Sequence, residues 1–448
     1  MKTATLFECG ACGHSAPRWF GRCPACNAWG TVDAGSPRST GNGSHAVLEV
    51  RTLESIGDGV PRLETGVGEL DRVLGGGVVP GSVVLISGDP GVGKSTLVLQ
   101  MIDGLVQRGH QTLLVTGEES LDQVSLRALR LGVDATALRA AASTSLHAVL
   151  DTARAERASV LIVDSIQTLE DPTHGSAAGS VVQVRECAAA LVRFAKSTGT
   201  AVVMIGHVTK EGTVAGPRTL EHLVDAVLSL DGDRSGTFRL LRTTKNRFGS
   251  CDEAGVFIME ARGLQGVDDP SAMLLADRLP GVPGSIVFPA LEGARPVLME
   301  VQALVAATKL PQPRRVAIGC DAKRLALLVA VLGQRSLARL GEDDVFVAAA
   351  GGLQVREPAA DLAVCLALLS SKFDGPLPHR TVAIGEVGLA GEVRRVPGMQ
   401  RRVAEAERLG FTEAIVPRGS SATPKNVRVV EVDDLAQALA AASRRPAA

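Results

Sequence analysis

Residues 83–102 read VVLISGDPGVGKSTLVLQMI. An apolar, β-branched run leads into a glycine-rich turn, and the turn leads into apolar positions spaced for a helix. Strand, loop and helix in that order are what a phosphate-binding loop requires. Gly88, Gly91 and Gly93 let backbone amides close round phosphate oxygens, and the helix N-terminus turns its positive end toward them. The expected nucleotide contacts are Gly88, Asp89, Pro90, Gly91, Val92, Gly93, Lys94, Ser95 and Thr96. Lys94 is placed to reach the β- and γ-phosphates of ATP, and Ser95 to hold Mg²⁺.

Outward from this loop, apolar runs alternate with helical patterns between about 60 and 265: TLLVT at 112–116, VLIVD at 160–164, AVVMIG at 201–206, then DAVLSL and FRLLRTT. Strands buried on both faces and joined by crossover helices predict a mostly parallel α/β sheet. Such sheets gather ligands at the carboxyl ends of their strands. VLIVD delivers Asp164 there, where a second carboxylate can hold magnesium-bound water beside Ser95. TLLVT delivers Glu118 and Glu119, one of which is expected to orient and deprotonate the attacking water. Adjacent side chains point in different directions, and Glu118 is the first choice. His207, just past AVVMIG, falls beside the γ-phosphate, either as a sensor of hydrolysis or as an ordinary hydrogen-bonded residue.

The N-terminus carries Cys9-x-x-Cys12 and, ten residues on, Cys23-x-x-Cys26. Two such pairs bring four thiolates to tetrahedral spacing round one zinc ion, and an all-thiol site is closed, hence structural. So short a module builds no core, and metal binding drives its folding. Trp19 and Trp29 either pack against this site or anchor a partner. Cys187, Cys251, Cys320 and Cys365 read as core or incidental residues.

A chain of 448 residues, 45% apolar and 21% charged, is a folded protein of more than one domain. Lys plus Arg number 47 against 48 for Asp plus Glu, so no global basic field draws it to nucleic acid. Aromatics are 3%, with no tyrosine, and leave few faces for stacking on bases. No signal-peptide-like start and no apolar run of spanning length is seen, so no membrane role and a cytoplasmic location are expected. The divisions expected are a four-cysteine finger at 1–32, a flexible Gly/Ser/Pro-rich linker at 33–55, the nucleotide-binding core at 56–268 and a second α/β domain at 269–448.

The finger, GDPGVGKS, TGEES at 116–120, LIVDS at 161–165, GHVTKEG at 206–212 and KNRFG at 245–249 together resemble the bacterial RadA (Sms) family along nearly the whole chain. The resemblance implies a RecA-like P-loop ATPase core behind an N-terminal zinc ribbon or knuckle, followed by a C-terminal Lon-protease-like α/β domain. It also implies a DNA-dependent ATPase of homologous recombination, a hexameric ring that binds single-stranded and branched DNA, works with RecA and drives branch migration. In the KNRFG motif, Lys245, Asn246, Arg247, Phe248 and Gly249, the two cations either complete a neighbour's phosphate site, line the DNA channel or form surface ion pairs. In the Lon-like domain EPAADLA puts Ala359 at the nucleophile position and Gln400 falls at the lysine position, so the domain is a scaffold without proteolytic chemistry. Arg314, Arg315, Lys323 and Arg324 give it either a DNA-facing surface or a solvated face. An ATP-switched scaffold is the alternative to the motor, and an ATP-dependent protease is disfavoured by the loss of both catalytic residues.

Overall fold

The computed structural model describes residues 7–9, 15–16, 19, 21–30, 32–34, 61–207, 219–232, 238–309, 311–335, 337–352, 354–355 and 357–443. Cys12, all but the first two positions of the expected linker, and the VTKEG part of GHVTKEG lie outside these residues. The chain divides into two compact units, Met1–Gly59 and Val60–Ala448. In the first, Phe7–Cys9 is the middle strand of a small antiparallel sheet, flanked by Ser15–Ala16 and Val32–Ala34.

The second unit holds two large sheets. The first is built from β1 (Val83–Gly88), β2 (Thr112–Thr116), β3 (Ala140–Ala142), β4 (Val160–Asp164), β5 (Ala201–His207), β6 (Ala226–Asp231), β7 (Phe238–Asn246), β8 (Ala254–Glu260) and β9 (Gly263–Gly266). Their order is β9-β8-β7-β6-β1-β5-β4-β2-β3. The six strands from β6 to β3 are parallel, as the apolar runs predict, and β7 to β9 extend the sheet antiparallel. Alternate strand residues face opposite ways. Val84, Ile86, Ile162 and Val203 pack under helices α1 (Gly68–Leu74), α2 (Lys94–Gln107) and α3 (Leu121–Leu131). Val83, Leu85, Leu161 and Met204 pack against α4 (Leu146–Ala155) and α5 (Val181–Thr198) on the other face. The result is a three-layer α/β domain whose central parallel strands are covered on both faces, with β3 a partly exposed edge.

The second sheet is mixed: β10 (Ser285–Glu292) and the 13-residue β11 (Arg295–Ala307) form its central hairpin. β12 (Arg315–Ile318) and β13 (Asp343–Ala349) lie on one side, and β14 (Thr381–Ala383), β15 (Glu413–Pro417) and β16 (Arg428–Val432) on the other. A 3₁₀ turn, Pro358–Ala360, leads into the α-helix Asp361–Lys372, buried throughout its first ten residues. That helix lies at the centre of a core which also takes Phe238, Leu240 and Val256 from β7 and β8. A buried and a half-buried ion pair reinforce the seam. Glu69 of α1 binds Arg295 of β11, and Arg242 of β7 binds Glu292 of β10 at 2.6 Å. Among the described residues no helix is long and apolar enough to cross a membrane.

Candidate nucleotide site and metal centre

Strand register assembles the site. Gly88 at the end of β1 pairs with His207 at the end of β5, and Thr116 at the end of β2 pairs with Asp164 at the end of β4. The loop, both acidic segments and the histidine therefore meet at one carboxyl edge. Gly93 enters α2 at φ 120°, and a β-carbon there would press on Met259 at 2.8 Å, so glycine is required. Lys94, 4% exposed, folds back over the loop and donates to the carbonyls of Gly88 at 2.8 Å and Asp89 at 3.0 Å. Burial pulls its pKa below the usual lysine range, while Asp164, Glu118 and Asp89 favour its charge.

Burial raises the Asp164 carboxyl, and a hydrogen bond from Ser95 opposes this. The Asp164–Ser165 peptide is cis. The two glutamates part company. Glu119 is taken by Arg127 of α3, and its amide donates to Thr116 Oγ1 at 2.9 Å. Glu118 turns into the site, where its Oε1 lies 3.1 Å from His207 Nε2 and accepts from Ser165 Oγ. The His207 hydrogen bond, with Ser165 and the Lys94 charge added, outweighs burial and holds the Glu118 carboxyl down at about 2. Ligand atoms of Glu118, Asp164 and His207 all lie within 4.8 Å of one another. Gln167 donates to the His207 carbonyl at 3.3 Å. Ser165 and Gln167 escaped the sequence reading because a hydroxyl and an amide in a turn carry no periodic or charge signal.

The KNRFG cations lie at the other edge of the sheet. Arg247 NH1 is 3.2 Å from Asp225 Oδ1, and the Arg247 amide donates to the Asp225 carbonyl at 3.0 Å. Asp225 in turn accepts from the amide of Val83, where β1 begins, at 3.0 Å and from Lys196 at 2.8 Å. Lys245 Nζ donates to the carbonyls of Glu221 at 2.5 Å and Val224 at 2.8 Å. The length of β1, about 16 Å at roughly 3.3 Å per residue, separates this cluster from the phosphate loop of the same chain.

In the N-terminal unit Cys9 Sγ and Cys26 Sγ are 3.8 Å apart, and Cys23 joins them within 4.8 Å. Tetrahedral coordination at about 2.3 Å puts sulfurs about 3.8 Å apart, so the described thiols fit zinc. Backbone bonds from Asn27 to the Cys23 carbonyl at 2.8 Å and from Cys23 to the Ala28 carbonyl at 2.9 Å form the knuckle. The indoles do not cover this site. Trp19 is 64% and Trp29 73% exposed, flanking Gly21, because three strands this short have no interior to receive them.

In the C-terminal domain Ala359 is 2% exposed, and Gln400 accepts from the Thr423 amide at 3.0 Å. Arg402, fully buried, binds Glu357 and the Pro289 carbonyl. Two of the four cations considered for a DNA surface are engaged internally: Arg324 with Asp361, and Arg315 with the carbonyls of Asp343 and Leu340.

Three family models match the chain: KaiC ATPase over residues 63–155, a rubredoxin metal binding domain over 7–34, and subunit ChlI of Mg-chelatase over 345–420. Among known proteins the chain is 48% identical over 447 residues to a "DNA repair protein RadA" of Pseudomonas aeruginosa, covering 98% of each. It is 47% identical to that of Escherichia coli, covering 97% of each, and 44% identical to that of Bacillus subtilis, covering 98% of each. A P-loop ATPase core preceded by a metal ribbon and followed by a second α/β domain is thus matched nearly end to end, and the chain belongs to the RadA family of DNA repair proteins.

Proposed function

We propose that the chain is a DNA-dependent ATP hydrolase of homologous recombination, a hexameric ring in the cytoplasm that acts with RecA on single-stranded and branched DNA to drive branch migration and unwinding. The observation that carries this reading is the meeting of Lys94, the Ser95–Asp164 pair and Glu118 at one strand edge, in a chain related end to end to DNA repair proteins.

Lys94 supplies positive charge to the β- and γ-phosphates, and the loop amides with the α2 N-terminus hold the remaining oxygens. Ser95 and Asp164 would hold Mg²⁺, which when bound neutralises charge developing on the phosphate oxygens. Glu118 is the base that orients water for attack, favoured over Glu119 because Arg127 occupies the latter. His207, bonded to the same carboxylate, reports the state of the γ-phosphate. Lys245 and Arg247 lie too far from their own subunit's loop and serve a neighbour's, as arginine fingers do in ring ATPases. Cys9, Cys12, Cys23 and Cys26 hold a structural zinc. The segment 1–32 is the finger, 33–55 a linker, 56–268 the motor core and 269–448 an assembly scaffold whose Ala359 and Gln400 leave no protease chemistry.

The test is steady-state ATP hydrolysis with and without single-stranded DNA. Stimulation by DNA is expected, and its loss together with basal activity in Lys94→Ala. Hydrolysis indifferent to DNA would favour an ATP-switched scaffold, and full activity in Lys94→Ala would overturn the site.

A further inference from the structure

Both hydrogen bonds to Glu118 fall on one oxygen. Ser165 Oγ donates to Oε1, and His207 Nε2 lies 3.1 Å from that same atom. The second oxygen, Oε2, receives no bond from either. A carboxylate with Oε1 fixed at two points has no freedom to rotate and presents one atom in one direction. Of the two anchors, His207 is at the open mouth of the site, whereas Ser165 is completely buried.

The buried anchor is itself held rigidly. The Ser165 carbonyl accepts from Thr168 Oγ1 at 2.8 Å and from the Thr168 amide at 3.2 Å. The Gly117 amide donates to the Asp164 carbonyl at 2.9 Å, tying the residue before Glu118 to the residue before Ser165. At Gly117 a β-carbon would run into the Thr168 side chain, so the strand end carrying Glu118 lies directly on the 165–168 turn. Glycine there brings the two segments close enough for the hydroxyl to reach the carboxylate.

We infer that Ser165 is a positioning residue for hydrolysis: its buried hydroxyl fixes Glu118 Oε1 so that Oε2 faces the attacking water. The inference rests on Glu118 being the base. Ser165 is completely buried and its hydroxyl donates to Glu118, so it acts through the glutamate. Ser165→Ala removes one hydrogen bond to a charged acceptor and no core volume of consequence, so a fall in kcat of about 10- to 100-fold is expected. Affinity for ATP should stay within about twofold, because Lys94 and the loop amides are untouched.

The experiment is single-turnover hydrolysis of radiolabelled ATP by the full chain and by Ser165→Ala, Glu118→Gln and the double variant, with ATP affinity measured on each. Ser165→Ala should lose rate while keeping affinity, and should cause no further loss on the Glu118→Gln background, since the base it orients is already gone. An unchanged rate in Ser165→Ala, or an equal loss on both backgrounds, would overturn the inference while leaving Glu118 as the base. Loss of ATP binding would also overturn it, by making the hydroxyl a part of the loop's architecture. Full hydrolysis by Glu118→Gln would remove the base assignment itself, and the inference with it.

Discussion

Replacing Arg295 by methionine would leave Glu69 as a buried carboxylate without its main counter-ion. Glu69 is 3% exposed and Arg295 11%, so solvent does little to screen the pair. Breaking a buried pair by removing one partner costs about 3–5 kcal/mol. Glu69 keeps the Val256 amide at 2.8 Å and the half-exposed Arg72 at 3.3 Å, which places the cost near the lower end. Arg295 also leaves behind the carbonyls of Val267 and Asp268, bonded at 3.1 and 3.0 Å. For a cooperative unit of roughly 390 residues, with an unfolding entropy of about 2 cal/mol/K per residue, about 3 kcal/mol lowers Tm by about 4 °C. The assay is differential scanning calorimetry of Arg295→Met beside Glu69→Gln/Arg295→Met. The double variant keeps an acceptor for Val256 without the stranded charge and should recover most of the loss. A single variant melting within 1 °C of the parent, or a double variant no better than the single, would refute the reasoning.

Acid should reveal Glu118. Its carboxyl is depressed to about 2, so its contribution to stability is complete above the ordinary glutamate pKa and is lost as pH falls toward 2. The Tm difference between the parent and Glu118→Gln should therefore shrink from pH 5 to pH 3, and a widening gap would contradict the His207 and Ser165 contacts. Chelation of zinc should unfold the N-terminal unit, since so small a ribbon folds on its metal, while basal ATP hydrolysis persists; collapse of both would contradict separate units. Arg247→Ala should bind ATP yet lose DNA-stimulated hydrolysis by about 10³-fold or more, and mixing it with Lys94→Ala subunits should restore part of it. No rescue, with weaker and less salt-dependent DNA binding, would make Arg247 a phosphate-backbone contact instead.

The core sheet was legible wherever strands are apolar on both faces. TLLVT and VLIVD are strands over the residues read, and Gly88–Ser95, Asp164 and Glu118 follow from strand ends. Other elements lack that signal. Ala140–Ala142 has no β-branched residue, Gly263–Gly266 is a glycine-bounded edge, and α1 spans only two turns. The helix Ala322–Gln334 ends where Arg335 takes the cap. Long-range pairs such as Arg324 with Asp361 or Glu69 with Arg295 are fixed by tertiary packing, and no local spacing encodes them. The partition between Glu118 and Glu119 depends on Arg127, eight residues beyond Glu119 on a helix whose capping box at Ser120 sets its direction.

Asp225 has two cations where one would neutralise it. Lys196 sits at 2.8 Å and Arg247 at 3.2 Å, the latter with a side chain 54% exposed. This redundancy makes the arginine releasable. When Arg247 swings away, Lys196 and the Val83 amide still compensate the buried carboxylate, so the charge is not stranded. The side chain can therefore leave its intramolecular berth for an outside anion without leaving Asp225 unpaired, with Lys196 holding the berth while it is empty.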